Sequence, residues 1–273
     1  MEELYSFFPA RREWPPALDD VANVAPDAES ARLKAGARNI GALPARTELK
    51  SLWCFNVDQA YLDTISRCAS LESLHIENVK AEDLACLSAL KRLKVLSIES
   101  CFKVTSLEAL RDLRTLSGLA VIHFKNVHEL GPLSSLSDLR ALAVAGSMWT
   151  AMRVESLRPL AGLRDLRLLH LSNLKTEDES LRPLGGLRNL VHLDIANFYP
   201  MSEFAFLSQR LIGAECTWFE PYVTLPHMPC KKCGQRTMVM LTGKRKPTLC
   251  SRCNSKRLEK HVLEWNELAG STA

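Results

Sequence analysis

The chain has 273 residues, of which 47% are apolar but only 7% aromatic, so leucine must fill most of its interior. The formal net charge of +4 is unevenly distributed, because residues 228–261 hold ten basic residues and one acid, Glu259. No stretch approaches the roughly 18 uninterrupted apolar residues of a membrane-spanning helix, and no signal-peptide-like run follows the acidic start. These features argue against a membrane span or membrane partner and predict a cytoplasmic protein.

Residues 1–48 are predicted to cap the amino-terminal end of a repeat structure. Within them, residues 31–43 carry apolar side chains at repeat-like spacing and read as a degenerate first repeat. The preceding aromatic residues Phe7, Phe8 and Trp14 are interpreted as folding over the edge of that repeat. The alternative is that these aromatic residues anchor a partner.

Residues 49–222 contain about eight copies of one pattern, Leu-x-x-Leu-x-Leu/Ile, which predicts parallel strands stacked into a solenoid. The first leucines of successive copies are separated by 20 to 27 residues, which is the spacing of leucine-rich repeats. The copies begin at Leu49, Leu71, Leu93, Leu119, Leu139, Leu166, Leu190 and Leu211.

A second leucine pattern, with a period of three residues, fills the segments between the predicted strands, as in residues 84–93. Period three matches a 3₁₀ turn, in which residues i and i+3 eclipse, and prolines such as Pro132 would shorten an α-helix there. We therefore predict short 3₁₀ turns on the convex face. Residues 58–69 are the exception and predict a true helix with Asp58 as its N-cap.

The repeat spacing resembles the SDS22-like and internalin-like class of leucine-rich-repeat proteins over roughly residues 49–219. The resemblance implies an α/β fold, with a parallel β-sheet on the concave face of a solenoid and short 3₁₀ or α turns on the convex face. One position departs from the class, because the expected inward asparagine falls one residue early, as in Asn56, Asn78 and Asn173. We expect an apolar residue to point inward instead, and the asparagine to form a turn at the strand end.

Strand alternation predicts which side chains face the concave surface, because successive residues of a strand point to opposite sides of the sheet. Residues two, four and six positions after each first leucine are predicted to lie on this face. Those selected as a protein-binding surface are Trp53, Phe55, His75, Glu77, Glu99, His123, Lys125, His170, His192, Asp194 and Glu215. The alternatives are an ordinary solvent-exposed polar face and, third, a metal or catalytic site.

No recognisable catalytic motif accompanies these histidines and carboxylates. The sequence has no Gly-x-Gly-x-x-Gly, no Gly-x-Ser-x-Gly and no His-Glu-x-x-His pattern. We therefore predict a protein that is not an enzyme, has no small-molecule substrate and binds a protein partner on its concave face.

Two Cys-x-x-Cys pairs, separated by sixteen residues, lie near the carboxyl end: Cys230, Cys233, Cys250 and Cys253. Two such pairs supply the tetrahedral sulfur set that Zn²⁺ favours, with no open coordination position. The segment resembles a zinc ribbon, so we predict one structural zinc ion as cofactor; the alternatives are a redox dithiol and an adventitious pairing of the cysteines. Residues 223–229 would be a linker, residues 230–254 the ribbon and residues 255–273 a helix with a tail.

The ribbon carries most of the excess positive charge of the chain. Its loop Lys244-Arg245-Lys246 is the segment best suited to phosphate contact, which makes a nucleic-acid-associated adaptor the alternative function. No aromatic residue interrupts these charges, although base recognition would want one. We therefore favour a solvated basic surface, or one that faces the acidic solenoid, over contact with RNA or DNA.

Overall fold

A computed structural model describes residues 7–271, which form a solenoid followed by a small antiparallel sheet and a helix. Nine parallel strands pair in the order β1-β2-β3-β4-β5-β6-β7-β9-β11, which confirms the predicted parallel sheet. The strands are β1 (Leu18–Asp20), β2 (Ser30–Arg38), β3 (Ser51–Phe55), β4 (Ser73–Val79), β5 (Val95–Cys101), β6 (Gly118–Phe124), β7 (Ala141–Ala145), β9 (Leu168–Leu171) and β11 (His192–Ile195).

Short 3₁₀ helices return the chain along the convex side, as the period of three residues predicted. In the repeats they span Ile40–Ala45, Ala85–Ala89, Glu108–Leu110, Gly131–Ser135, Arg158–Gly162 and Arg182–Gly186. Leucines of both patterns are fully buried, among them Leu96 of a strand and Leu87 of a turn. The core is therefore a continuous apolar stack between the sheet and the turns.

The first return segment contains an α-helix, α1 (Gln59–Ile65), at the predicted place. Asp58 is its N-cap, because its carboxylate accepts a hydrogen bond of 2.9 Å from the Tyr61 backbone N–H. The helix is shorter than predicted, since a turn closed by a hydrogen bond from Leu71 N–H to Cys68 O leads directly into the next strand.

Five repeats have a residue in the left-handed conformation close to the end of the strand, seven positions after the first leucine of the repeat. These residues have φ between +48° and +58°, and they are Asn56, Asn78, Ser100, His123 and Asn173. Asparagine tolerates this conformation better than most residues, which explains why it stands at the strand end. The residue after it points into the core, as the apolar Val57 and Val79 do.

The fourth repeat begins at Leu116 rather than at Leu119, so the predicted register of β6 was wrong. In the sheet Ser97 pairs with Ala120, which puts Ala120 in the middle row of the concave face. Leucine stands at every third position over residues 107–119, so the turn pattern runs into the strand pattern without a break. Either leucine can begin the repeat on sequence grounds.

As a consequence, His123 and Lys125 do not lie on the concave face where they were predicted. His123 is the last residue but one of strand β6, with its Nδ1 3.3 Å from Ser100 Oγ and its ring 4.8 Å from that of Phe102. Lys125 is exposed beyond the strand. The three-residue shift in register reverses the facing of His123, because strand side chains alternate with a period of two, and it places Lys125 after the end of the strand.

The fifth repeat carries extra residues directly after β7. The first of them form a turn in which the Ser147 N–H donates to Thr150 O at 2.9 Å. The short strand β8 (Met152–Val154) follows and pairs in parallel with β10 (Leu174–Thr176) of the next repeat. A Cβ at Gly146 would lie 2.4 Å from Thr150 O, so glycine is required for the turn to fold back.

The carboxyl-terminal part contains two helices and a three-stranded antiparallel sheet. They are α2 (Met201–Arg210), β12 (Tyr222–Thr224), β13 (Met238–Leu241), β14 (Thr248–Cys250) and α3 (Ser255–Gly270). The segment 223–229, predicted to be a linker, instead begins within β12, where Val223 pairs with Met240. Strands β13 and β14 form an antiparallel hairpin, to which β12 adds a third strand.

This ribbon and α3 cover the carboxyl-terminal end of the solenoid. Asn197, which follows β11, donates from Nδ2 to Leu241 O at 3.0 Å and accepts at Oδ1 from the Gly243 N–H at 2.7 Å. Trp265 of α3 is 5% exposed and joins the same apolar core as the last repeats. The exposed apolar end that a terminal repeat would otherwise present is thereby covered.

Candidate functional site

The amino-terminal half of the concave face is covered by residues 7–16 of the chain itself. Trp53 and His75 lie side by side in register on β3 and β4, as strand alternation predicted. The Trp14 indole packs edge-on against both, with ring centroids 5.3 Å from Trp53 and 5.0 Å from His75. Trp53 is consequently only 8% exposed and His75 only 6%, so this segment stands between both residues and any partner.

Phe7 extends this cover to strand β6. A Cβ at Gly118 would lie 2.8 Å from Phe7 Cδ1, so the absence of a side chain at this position makes room for the ring. Phe8 and Pro9 line a cavity above Glu99. The aromatic residues predicted to fold over the edge of the first repeat therefore lie across the concave face instead.

Phe55 and Arg32 complete an aromatic cluster around Trp53. The Phe55 ring stacks on Trp53 with centroids 5.6 Å apart, and the Arg32 guanidinium lies 5.0 Å from the Trp53 centroid and 5.5 Å from that of Phe55. Arg32 was missed because its repeat is degenerate. The signal was available: Arg32 pairs with Trp53, so counting back one repeat from Trp53 would have found it.

The His75 imidazole is held in its neutral form. Burial lowers the pKa of His75 to about 4, and its Nε2 lies 3.1 Å from Ser73 Oγ. Glu77 and Glu99 face each other across β4 and β5, as predicted. Of the residues predicted on this part of the concave face, the structure thus brings His75, Glu77 and Glu99 onto neighbouring strands and leaves out His123 and Lys125.

The carboxyl-terminal half of the concave face carries two imidazole–carboxylate pairs. His170 Nδ1 lies 2.7 Å from Asp194 Oδ2, and His192 Nδ1 lies 3.1 Å from Glu215 Oε2. The hydrogen bond with His170 holds the pKa of Asp194 below its usual range. In register Glu215 pairs with His192, which keeps Glu215 on the face where it was predicted.

A cavity of about 650 Å³ opens beside these two pairs. Leu168 and Phe219 contribute apolar lining, and the side chains of Asp194 and Glu215 are 60% and 80% exposed. Thr217, six positions after Leu211, also lines the cavity, although the residues after Glu215 belong to no regular strand. This half of the face therefore combines apolar lining with accessible negative charge.

The four cysteines of the ribbon converge on one point. Their sulfur atoms all lie within 4.8 Å of one another, and Cys233 Sγ is 3.7 Å from Cys250 Sγ. A tetrahedral ion with metal–sulfur bonds of about 2.3 Å has sulfur–sulfur edges of ~3.8 Å. The donor set present therefore fits a single tetrahedrally coordinated metal ion. Cys230 and Cys250 are buried, while Cys233 and Cys253 are half-buried.

Hydrogen bonds to sulfur favour the thiolate form of Cys250, whereas the hydrogen bond with the Cys233 thiol raises the pKa of Cys253 to about 12. The Thr237 hydroxyl lies 3.2 Å from Cys250 Sγ, and the Cys253 N–H donates to the same sulfur at 3.4 Å. These two contacts, in that order, lower the pKa of Cys250 to about 6. In the other turn the Lys232 N–H donates to Cys230 Sγ at 3.4 Å. Both turns thus aim backbone N–H groups at ligand sulfurs.

The basic loop Lys244-Arg245-Lys246 faces the rest of the protein. The Lys244 ammonium pairs with Glu179 of the solenoid, and Lys246 Nζ lies 3.4 Å from Glu264 Oε2 of α3. Arg245 is exposed. Two of the three charges are therefore compensated within the chain, which weakens their attraction for a nucleic acid.

Comparisons with known proteins concern the repeats. No known family profile matches the chain. A protein of Trypanosoma equiperdum named "Putative adenylate cyclase regulatory protein" is 32% identical over 149 residues, which cover 51% of this chain and 23% of that protein. The chain thus spans about a quarter of the length of this curated relative. No helix among residues 7–271 combines the length and apolarity that crossing a membrane requires.

Solved structures with a similar architecture are leucine-rich-repeat proteins. A leucine-rich-repeat protein of Leptospira interrogans has a TM-score of 0.53 at 14% identity, covering 74% of this chain and 52% of its own. Internalin C2 of Listeria monocytogenes has a TM-score of 0.47 at 22% identity, covering 56% of this chain and 66% of its own. The likeness concerns the fold alone. The described residues therefore comprise a leucine-rich-repeat solenoid that carries a four-cysteine cluster at its carboxyl end.

Proposed function

We propose that this protein is a non-enzymatic scaffold that binds a protein partner in the carboxyl-terminal half of its concave face. The observation that carries this proposal is the cavity of about 650 Å³ in which two imidazole–carboxylate pairs stand beside apolar lining. A curved sheet lets one partner contact several strands at once. The name of the curated relative, which describes a regulatory protein, is in keeping with this role.

The two halves of the face differ in what a partner must displace. Trp53 and His75 lie beneath Trp14, so binding there requires residues 7–16 to leave first. Asp194 and Glu215 are largely exposed and impose no such cost. Their carboxylates favour a partner segment that carries lysine or arginine, because complementary charge guides association and sets specificity.

One structural zinc ion, bound by the four ribbon cysteines, completes the proposal. Zinc is the metal that best suits a closed set of four thiolates, and it would supply crosslinks to a sheet with a very small core of its own. Cysteine occupies all four positions, so no coordination site is left for a substrate. The metal would stabilise the ribbon that covers the end of the solenoid.

Affinity capture from native extract tests the binding site. We expect the full chain to retain partners that the double variant His192→Ala/Glu215→Ala loses, because this variant removes one imidazole–carboxylate pair from the cavity. The matched control is His128→Ala/Glu129→Ala, since both residues are exposed but lie outside the concave strands. If both double variants retain the same partners, binding does not occur at this cavity.

Metal analysis of the purified chain tests the zinc site. We expect one zinc ion per chain, and a loss of this zinc in Cys253→Ser. Cys86→Ser is the control, because Cys86 is half-buried in the solenoid, away from the cluster. A wild-type chain without stoichiometric zinc, or a Cys253→Ser chain with undiminished zinc, would refute the assignment.

A further inference from the structure

A second cavity, of about 350 Å³, lies where the ribbon loop meets the edge of the solenoid. Arg153 of β8 and Lys175 of β10 enter it from the solenoid, and Lys244 and Arg245 enter it from the ribbon. Arg153 and Lys175 are direct partners in the parallel register, so their side chains leave the sheet side by side. Four cations from two parts of the chain thus surround one cavity.

The compensation of these charges is incomplete. Glu179, the acidic residue in the lining, pairs with Lys244. Within residues 7–271, no carboxylate forms an ion pair with Arg153, Lys175 or Arg245. The Lys175 ammonium instead rests 4.6 Å from the centroid of the Phe198 ring, which holds it at the cavity without neutralising it. The cavity therefore has an excess of positive charge.

The backbone around the cavity is held in place. Lys244 N–H donates to Tyr199 O at 2.7 Å, and Gly243 N–H donates to Asn197 Oδ1 at 2.7 Å. Glu179 and Arg245 both adopt left-handed conformations, with φ of +49° and +59°. Such conformations are uncommon outside glycine and asparagine, and they persist only where the surrounding structure fixes them.

The size of the cavity and its surroundings select the ligand. Glu155, Glu177 and Asp178 follow β8 and β10 directly and are exposed at the same edge of the solenoid. An extended polyanion would have to pass these carboxylates, whereas a single compact anion would not. Arginine pairs bind the oxygens of phosphate groups through directed, charge-assisted hydrogen bonds.

We infer that this junction cavity is a binding site for a single phosphate-type dianion, held by Arg153, Lys175 and Arg245. The anion is either free phosphate or a phosphorylated side chain of a partner protein. The inference is independent of the proposed concave-face function, because the two cavities share no lining residue.

The test measures binding of inorganic phosphate, phosphoserine and a single-stranded RNA oligonucleotide to the full metal-loaded chain, by equilibrium dialysis at low salt. The variants are Arg153→Gln and Arg245→Asn, because asparagine tolerates the left-handed backbone at position 245. The control is Arg114→Gln, which removes an exposed cation from a convex turn. Circular dichroism and zinc content establish that each variant is folded.

We expect phosphate and phosphoserine to compete for one site, and each cavity variant to weaken binding about tenfold, while Arg114→Gln leaves it unchanged. Tighter binding of phosphoserine than of phosphate identifies a phosphorylated side chain as the source, and the reverse identifies free phosphate. Undetectable phosphate binding, or equal binding by all variants, overturns the inference. Tighter, steeply salt-dependent binding of RNA also overturns it, because that behaviour requires many phosphate contacts.

Discussion

Leucines at equivalent positions of successive repeats fill the solenoid, whereas the separate apolar core of the ribbon contains three buried residues, Val239, Leu241 and Leu249. The stability of a solenoid is approximately a sum of many similar contacts between neighbouring repeats. About thirty residues cannot build a comparable core, so the ribbon would depend on the metal ion that we propose at its four thiols. On this proposal, one chain combines stabilisation spread over many repeats with stabilisation concentrated at one site, and each responds to a different perturbation.

Removing the metal should separate the two regions most clearly. We expect Cys253→Ser, or chelation of the wild type, to cost the ribbon about 10 kcal/mol of apparent metal-binding free energy and to unfold β13 and β14. Hydrogen exchange should then accelerate over residues 230–254 and remain slow in β5. A simultaneous loss of protection in β5 would show that the solenoid, too, depends on the metal.

A cavity in the solenoid should produce the opposite result. Leu96 is fully buried, and Leu96→Ala should lower the free energy of unfolding of the solenoid by about 2–5 kcal/mol, because the surrounding repeats cannot close the void completely. Urea unfolding measures this change, with Ser97→Ala on the open side of the same strand as control. Zinc content should be unchanged, and a decrease would contradict the separation of the two regions.

Acidification should weaken the solenoid through one imidazole. The pKa of His75 is about 4 in the folded chain, below its ordinary 6.5, so the unfolded state takes up a proton first as the pH falls. This contribution to stability is complete above pH 6.5 and is lost toward pH 4. At pH 5 the loss amounts to about 2 kcal/mol. Urea unfolding at pH 7 and pH 5 should show the loss in the wild type. The neutral variant His75→Gln should lack this component, and an equal loss in that variant would exclude His75 as its source.

The smallest effect is expected where the two regions meet. Asn197→Ala removes both hydrogen bonds that join the end of β11 to the ribbon loop, at a cost of about 1–2 kcal/mol. Zinc should consequently be lost to a chelator faster than from the wild type. Asn189→Ala is the control, because its side chain bonds only within the solenoid, to Arg164 O. Equal rates in both variants would mean that the contact at Asn197 does not couple the regions.

The features predictable from the sequence are those whose cause is local. Leucine periodicity predicted the parallel sheet and the 3₁₀ turns, and the spacing of Cys230, Cys233, Cys250 and Cys253 predicted a four-thiol cluster, because short turns bring each pair together. Asp58 was recognised as an N-cap for the same reason.

The features that were not predicted depend on the register of the repeating leucine pattern or on contacts between residues far apart in the sequence. The strand and turn patterns share leucines at a period of three residues, so Leu116 and Leu119 were equivalent starts, and His123 was assigned to the wrong face. Strand alternation predicts the face of the sheet on which Trp53 lies, but it does not predict which other residues cover that side chain. The contact with Trp14 joins segments far apart in the sequence, as does the ion pair between Lys244 and Glu179.

The left-handed residues near the strand ends, such as Asn78 and Asn173, occupy the position at which this chain accommodates added sequence. In the longest repeat the equivalent position holds Gly146, which is not in the left-handed conformation. The extra residues follow Gly146 directly, and strands β6, β7 and β9 keep their parallel pairing on either side. The inserted turn displays Met148 and Trp149, which are 84% and 89% exposed. An insertion at this position therefore leaves the register of the sheet unchanged, and we expect the equivalent positions after Asn78 and Asn173 to accept a grafted binding loop in the same way.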